Sequence, residues 1–164
     1  MQLLNHTQVE RKVKRLAYEI LERNFREPEL ILAGINFRGM EFANLLLQEL
    51  TDISDLEITL TRLRVHPPNP LEKEIHLEIP IEDIAGKSII VVDDVANTGR
   101  TIFYAIKPIL EVLPKKVEVA VLVDRQHKTF PINADYVGLS LATTMHDNID
   151  VQILNGDEFA VYLQ

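Results

Sequence analysis

The segment Ile89–Thr101, which reads IIVVDDVANTGRT, constrains the fold of this chain more than any other part of the sequence. Four apolar β-branched residues lead directly into two adjacent acids, Asp93 and Asp94. A short polar turn that contains Gly99 follows, and residues 102–110 then show the apolar spacing of an amphipathic helix. The order of buried strand, acidic tip, turn and helix is typical of a strand in an open parallel sheet.

The tip of this strand has the chemistry of a sugar-phosphate site. Ligands of open parallel sheets bind at the carboxyl ends of the strands, and a helix N-terminus presents free N–H groups to a phosphate. Gly99 permits unusual dihedral angles, and Thr98 and Thr101 add hydroxyl donors. Adjacent acids at the end of a buried strand are costly without a partner. We therefore favour a ligand site over the alternative that Asp93 and Asp94 merely end a strand while Thr98 caps a helix.

Strand and helix patterns alternate along the rest of the chain. Apolar spacing predicts helices over residues 8–24, 40–50 and 101–112, with a capping box at Thr7–Glu10 and a glycine-bounded turn over residues 34–39. Strands are predicted over residues 30–35, 57–63, 74–79, 87–92, 116–123, 136–139 and 151–153. The proline-rich segment Arg64–Pro70 lies in an excursion over residues 62–86 that is typical of a lid. This alternation predicts an α/β fold with a mainly parallel sheet, in a single domain over residues 1–164.

Composition restricts the functional classes. The formal net charge of −8 disfavours a general nucleic-acid binder, because neutralising phosphates needs a basic surface. The basic cluster Arg11–Arg15 is interpreted as a solvated helix face. The sequence has no cysteine, which excludes disulfides and thiolate metal sites. Without an apolar run of about 20 residues or a secretory signal, we expect no membrane association and a cytoplasmic location.

Two parts of the opening segment, Val91–Val95 and Thr98–Thr101, resemble the phosphoribosyl pyrophosphate motif of the type I phosphoribosyltransferases. Further similarity points to one subgroup, the bacterial pyrimidine-operon attenuators with uracil phosphoribosyltransferase activity. These matches are collinear and lie at residues 11–24, 34–35, 38–39, 58–60, 62, 120–125, 127 and 131–138. The resemblance implies a mainly parallel twisted sheet flanked by helices, with a flexible lid loop and a small C-terminal hood.

The resemblance also implies roles for individual residues. Asp93 and Asp94 would bind the ribose 2′- and 3′-hydroxyls, and the loop 96–101 would hold the 5′-phosphate. The turn 36–39 would hold the pyrophosphate, with Arg38 as its charged contact. Magnesium would bridge pyrophosphate and ribose oxygens and would reach Asp93 or Asp94 only through water. The implied catalytic residues are Asp93, Asp94 and Arg38, and the implied substrate-binding residues are Asn36, Phe37, Gly39, Arg62, Val95, Ala96, Asn97, Thr98, Gly99, Arg100 and Thr101. On the predicted lid, Arg64 and Lys73 join Arg62 as candidates to close over the pyrophosphate.

The acceptor base is indicated by departures from the family pattern. Ala96 and Asn97 replace the bulky aliphatic residue and the tyrosine that are usual in the phosphate loop. Purine-specific relatives place an aspartate at the second of these positions as a proton acceptor, which the neutral Asn97 cannot be. The segment 139–144, the counterpart of the family's base hood, lacks the usual lysine, asparagine and proline. We therefore expect a pyrimidine, uracil first, with another base as the alternative.

RNA binding is the second functional hypothesis, as part of a nucleotide-sensing regulator of pyrimidine genes with little turnover. Several residues that the subgroup uses on its RNA-binding face are replaced in this chain. Lys14 and Tyr18 occupy the positions of a threonine and a histidine. The positions of three basic residues are occupied by Asn133, Leu139 and Met145. Arg15, His127 and Lys128 remain. Fewer phosphate contacts weaken RNA binding, so we favour the enzyme over the regulator. The resemblance also implies a homodimer or a homotetramer.

Overall fold

The computed structural model describes residues 1–153 and 158–164. Its α-helices are α1 (His6–Asn24), α2 (Asn36–Ile53) and α3 (Arg100–Ala105). Two 3-10 helices span Ile81–Ile84 and Lys107–Glu111. The strands are β1 (Gln2–Leu4), β2 (Leu30–Ile35), β3 (Ile58–Arg64), β4 (His76–Leu77), β5 (Ser88–Ala96), β6 (Lys116–Arg125), β7 (Tyr136–Leu141), β8 (Ile149–Gln152) and β9 (Ala160–Leu163). Within the described ranges, no helix has both the length and the apolar character that crossing a membrane requires.

The strands form two sheets. The larger sheet has the order β4-β3-β2-β5-β6-β7, and its neighbours pair in parallel except for the edge strand β4, which is antiparallel to β3. The smaller sheet has the antiparallel order β1-β9-β8, so it joins the first strand of the chain to the last two. This arrangement confirms the predicted α/β class with a mainly parallel sheet.

Apolar side chains cover both faces of the large sheet, which explains why its central strands show continuous apolar runs rather than alternation. Successive residues of β2 point to opposite faces: Leu32 packs into one core and Ile31 into the other. The first core lies against α1 and α2, where Leu16 and Phe42 are fully buried. The second core lies against α3 and both 3-10 helices.

The strand order places a crevice between β2 and β5. The chain runs from β2 outward to β3, and then returns to β5 and continues outward in the opposite direction. Open α/β sheets bind ligands outside the carboxyl ends of the strands at such a reversal. In this chain that position is flanked by the start of α2 and by the acids of β5.

Two predicted helix boundaries are wrong for local reasons. The capping box consists of Asn5 and Gln8 rather than Thr7–Glu10: Asn5 Oδ1 accepts from the Gln8 N–H at 3.0 Å, and Gln8 Oε1 accepts from the Asn5 N–H at 2.9 Å. Asparagine is at least as good an N-cap as threonine, so α1 begins earlier. The helix predicted over 101–112 ends at Ala105, because Pro108 cannot donate the backbone hydrogen bond of a continuing α-helix.

Tertiary pairing explains the other differences. The predicted turn over residues 34–39 is divided between the end of β2 and the first turn of α2. β5 continues to Ala96, since β6 offers it partners as far as Asp124, so Asp93 and Asp94 lie within the strand rather than after it. β1 and β9 were not predicted, because each is short and its strand pairing comes only from other members of the small sheet, which lie far away in the sequence.

A buried hydrogen-bond network fastens α1 to the far edge of the large sheet. The fully buried Tyr136 donates its hydroxyl hydrogen to Glu118 Oε1 at 2.9 Å and accepts from Asn24 Nδ2 at 3.1 Å. Lys116 Nζ donates to Asn24 Oδ1 at 2.8 Å. Burial raises the pKa of Tyr136, so the phenol remains a neutral donor.

We expect the substitution Tyr136→Phe to lower the free energy of unfolding by about 1–3 kcal/mol, because it leaves the buried Glu118 without its hydroxyl donor. The matched control is Tyr18→Phe, which removes the same atom from a side chain that is 52% exposed and should change stability little. Urea denaturation of both variants measures the difference. Equal stability of the two variants would contradict the role of the network.

Candidate active site

Two buried carboxylates occupy the end of β5. Asp93 and Asp94 are only 9% and 8% exposed. Asp93 Oδ1 accepts from the backbone N–H of Asp94, and Asp94 Oδ1 accepts from that of Val95, each at 2.9 Å. These local hydrogen bonds leave acceptor positions on both carboxylates, since an ionised carboxylate can accept about four.

Burial makes it unfavourable for Asp93 and Asp94 to be ionised at the same time. Burial raises the pKa of Asp93 well above its ordinary value, and the adjacent Asp94 carboxylate raises it further. Burial also raises the pKa of Asp94, although hydrogen bonds and the positive charge of Arg38 oppose that shift. A ligand that brings a cation or hydroxyl donors would relieve this repulsion. Across residues 1–153 and 158–164, no group of three or more His, Cys, Asp or Glu side chains is placed to hold a metal ion.

The first turn of α2 faces these acids. Its N-cap, Ile35, makes no side-chain capping hydrogen bond, so the first N–H groups of this 18-residue helix have no side-chain cap. Asn36 adopts a positive φ of 51°. Its amide accepts from the Val65 N–H and donates to the Val65 backbone oxygen, both at 2.9 Å, which holds the start of the predicted lid segment. A Cβ on Gly39 would lie 2.6 Å from the Val92 oxygen, so only glycine lets this turn approach β5.

Arg38 is the cation of the site. Its side chain is 49% exposed, and Nη1 lies 3.8 Å from Asp94 Oδ2 and 3.5 Å from Asp150 Oδ1. Asp150 belongs to β8 of the small sheet and was not predicted as a site residue. No local pattern in its segment signals this contact, which depends on how the small sheet packs beside β5. Arg38 therefore bridges the acids of the large sheet to the small sheet.

The loop that is predicted to hold a phosphate lies between β5 and α3. Gly99 adopts a φ of +86° ahead of α3, and the Arg100 N–H donates to Thr98 Oγ1 at 3.3 Å. The backbone carbonyl oxygen of Thr98 accepts from the N–H groups of Thr129 and Phe130, at 3.0 and 3.1 Å. The segment after β6 therefore supports the loop from behind.

Most of the predicted site residues meet around one cleft of about 340 Å³. The predicted residues that line it are Asn36, Phe37, Arg38, Asp93, Asp94, Val95, Asn97 and Thr101. A smaller adjoining hollow is bordered by the remaining loop residues Ala96, Thr98, Gly99 and Arg100, and Ala96 is also buried in the core. The cleft also includes Ile149 and, from the predicted lid segment, Pro67, whose backbone oxygen accepts from Arg100 Nη2 at 2.9 Å.

The predicted basic residues of the lid lie outside this cleft. Arg62 lies on β3, opposite Gly34 of β2. The Nε atom of Arg62 is buried without a hydrogen-bond partner among the described residues. Arg64 donates twice to Glu78 Oε1, at 2.7 and 3.0 Å. Lys73 borders a separate hollow beside Lys107. For these three side chains, contact with a ligand remains a prediction.

Arg125 contacts the site through Asn97, although its sequence position indicated only that it lies in a segment similar to the subgroup. It ends β6, and its Nη1 donates to Asn97 Oδ1 at 3.1 Å. The other side-chain hydrogen bonds of Arg125 go to Thr143 and Thr144, on the segment between β7 and β8. A lone arginine at the end of a strand carries no sequence signal for such a bridge.

Comparisons with known proteins agree with this geometry. The phosphoribosyl transferase domain family matches residues 1–154. The bifunctional protein PyrR of Clostridioides difficile is 36% identical over 95% of this chain and 92% of its own length. The pyrimidine operon regulatory protein of Lactococcus lactis is 40% identical over 95% of this chain and 91% of its own length.

Solved structures support the same assignment. A hypoxanthine-guanine phosphoribosyltransferase from Bacillus anthracis superposes with a TM-score of 0.72 and 25% identity, over 86% of this chain and 82% of that chain. A hypoxanthine phosphoribosyltransferase from Staphylococcus aureus has a TM-score of 0.75 at 20% identity, over 88% of this chain and 80% of its own, and shares the fold. With its family match, its sheet order and its curated relatives, this chain belongs to the phosphoribosyltransferase family.

Proposed function

We propose that this protein transfers the phosphoribosyl group of phosphoribosyl pyrophosphate to a pyrimidine base, uracil first, and releases pyrophosphate. One observation carries the proposal: the buried pair Asp93 and Asp94 faces Arg38 and the uncapped start of α2 across a single cleft. This arrangement offers acceptors for sugar hydroxyls on one side and a cation with free N–H groups on the other. Among small metabolites, a sugar with hydroxyls and phosphates needs both.

The two halves of the cleft have complementary tasks. The carboxylates of Asp93 and Asp94 accept hydrogen bonds from the ribose 2′- and 3′-hydroxyls and favour the positive charge that develops on the ribose ring. The first turn of α2 receives the pyrophosphate, because its N–H groups and the positive end of the helix dipole favour an anion. Arg38 adds a full charge there, and the loop 96–101 holds the 5′-phosphate.

The site is chemically suited to magnesium. The adjacent carboxylates of Asp93 and Asp94 would hold the ion through water, with hard oxygen atoms of the type that Mg²⁺ prefers. With a magnesium ion bound, the negative charge of the departing pyrophosphate would be neutralised. The protein's own contribution is positioning: it aligns the base nitrogen with the anomeric carbon, so that the new C–N bond forms as the C–O bond to pyrophosphate breaks.

We expect pyrophosphate release when the protein is incubated with phosphoribosyl pyrophosphate, magnesium and uracil. Asp94→Asn should lower kcat/KM about 10- to 100-fold, because one hydrogen bond to a charged acceptor is worth about 1.5–3 kcal/mol. The matched control is Asp52→Asn, the same change on an exposed residue of α2, which should retain full activity. Absence of release with every free base would refute the enzymatic proposal.

A second prediction concerns protons. The pKa of Asp93 is raised in the free protein, whereas ribose hydroxyls and a magnesium ion favour its charged form and lower that pKa. Asp93 should therefore lose its proton when magnesium phosphoribosyl pyrophosphate binds at pH values between the bound and the free pKa, and it should contribute no proton well above or well below them. Calorimetric titrations in two buffers of different ionisation enthalpy measure this release.

The same titrations with Asp93→Asn provide the control. Because asparagine does not titrate, proton release should be smaller in this variant at every pH where the unmodified protein shows it. Proton release of equal size in the two proteins would show that Asp93 is not the group that ionises on binding.

An RNA-binding regulator is the second candidate, since relatives are named as pyrimidine operon regulatory proteins. Two of the three basic residues that survive on the predicted RNA face, Arg15 and Lys128, argue against it. Arg15 Nη2 donates to the Val137 oxygen at 2.7 Å and its Nε lies 3.1 Å from Glu19, while Lys128 is paired with Asp124. Charges committed to their own protein contribute less to phosphate binding.

We therefore expect filter binding at physiological salt to show no preference for a pyrimidine leader transcript over an unrelated RNA of equal length. Each phosphate contact that is lost lowers both the affinity and its salt dependence, so any residual binding should be weak. Tight binding that is specific for the leader would instead establish the regulatory function.

A further inference from the structure

We propose that Asp150 is a positioning residue that holds Arg38 away from Asp94. The arginine then stays available to a pyrophosphate anion, and the Asp94 carboxylate stays available to sugar hydroxyls. This inference rests on the proposed function and deepens it, because it assigns a residue of the small sheet to the pyrophosphate half of the cleft.

Arg38 lies between two carboxylates. Its Nη1 is 3.5 Å from Asp150 Oδ1, at the limit of hydrogen-bonding distance. The distance from the same atom to Asp94 Oδ2 is 3.8 Å, which is too long for a hydrogen bond. The side chain of Asp94 is 12% exposed and that of Asp150 is 21% exposed. Arg38 therefore lies closer to the less buried of its two acidic partners.

The position of Asp150 is fixed by the strand that carries it. Its neighbours Ile149 and Val151 are buried in the first core, and β8 is paired along its length with β9. Successive side chains of a strand point to opposite faces, so Asp150 points away from that core. Its Oδ2 accepts from Gln152 Nε2 at 2.9 Å, and its other oxygen faces Arg38. The carboxylate is thus oriented before any ligand binds.

Without a competing acid, Arg38 would move onto Asp94. The attraction between two charges grows as their distance shortens and as water is excluded, and the Asp94 carboxylate is among the most buried in the protein. A close pair of this kind would occupy donors of the guanidinium and an acceptor of Asp94. The proposed substrate needs both groups, so it would have to break the pair, and that cost would be subtracted from its affinity.

Simple charge repulsion is the alternative role for Asp150, and it predicts the opposite result. If the carboxylate only repelled a bound pyrophosphate, removal of its charge would tighten pyrophosphate binding. If it positions Arg38, removal of its charge lets Arg38 pair with Asp94, and pyrophosphate binding weakens. The sign of the change in affinity therefore separates the two roles.

The test is Asp150→Asn, which keeps the shape of the side chain and removes its charge. We expect the Kd for magnesium pyrophosphate, measured by titration calorimetry, to rise about 3- to 10-fold. KM for phosphoribosyl pyrophosphate should rise by a similar factor, while kcat changes less than about twofold, because the groups that act on the ribose remain. The urea midpoint should not change, since a partly exposed ion pair contributes little to stability.

Glu158→Gln is the matched control. It removes the same charge from an exposed residue that precedes β9 and should leave the Kd for magnesium pyrophosphate unchanged.

A double-mutant cycle shows whether Asp150 acts through Arg38. In an Arg38→Met background the guanidinium is absent, so the further change Asp150→Asn should alter the Kd for magnesium pyrophosphate less than about 1.5-fold. A general disturbance of the small sheet would weaken binding in both backgrounds, and charge repulsion would strengthen it in both.

The outcomes separate this inference from the proposed function. A lower or unchanged Kd in Asp150→Asn, or an equal rise in the Arg38→Met background, would overturn the positioning role and leave the transferase function intact. Weaker pyrophosphate binding by Asp150→Asn without turnover of any base by the unmodified protein would overturn the transferase function alone. Failure of the unmodified protein to bind magnesium pyrophosphate would overturn both.

Discussion

The burial of two adjacent carboxylates at the end of β5 is the constraint around which the rest of the site is built. Neither Asp93 nor Asp94 is stable as an isolated charge there, and their mutual repulsion raises the pKa of Asp93 further. The positive charge of Arg38 and the positive end of the α2 dipole lie close by and stabilise the ionised carboxylates. Arg38 and the start of α2 can lie this close to β5 because Gly39, which has no Cβ, lets the first turn of the helix contact the Val92 backbone oxygen.

The small sheet completes the cleft from the other side. Asp150 on β8 shares Arg38 with Asp94, and Thr143 and Thr144 share Arg125 with Asn97. Two arginines therefore connect segments that are far apart in the chain. Since exposed ion pairs contribute little to stability, the value of these bridges lies in the orientation of side chains rather than in holding the fold together. That orientation is what a transferase acting by positioning requires.

Sequence patterns were most informative where the local chain decides its own conformation. The strand over 30–35 was predicted with the boundaries that the structure shows, because every residue of β2 is buried and apolar. Predicted strand boundaries were wrong where pairing with a neighbouring strand decides them. β5 continues to Ala96 because β6 pairs with it that far, and β1 forms because it pairs with β9. Pro108 is visible in the sequence, and the prediction of an α-helix through it was wrong because proline has no N–H to donate to the preceding turn.

The sequence by itself determined the family, the α/β class and the ligand type, because the apolar run, the paired acids and the glycine turn are contiguous and carry their chemistry locally. It also placed most of the cleft's side chains, since two strands and the turns that follow them supply these residues. Only the tertiary structure decided that Asp150 and Arg125 belong beside them. Those contacts form between separate segments of the chain, and no local spacing encodes the direction in which an arginine or an amide points.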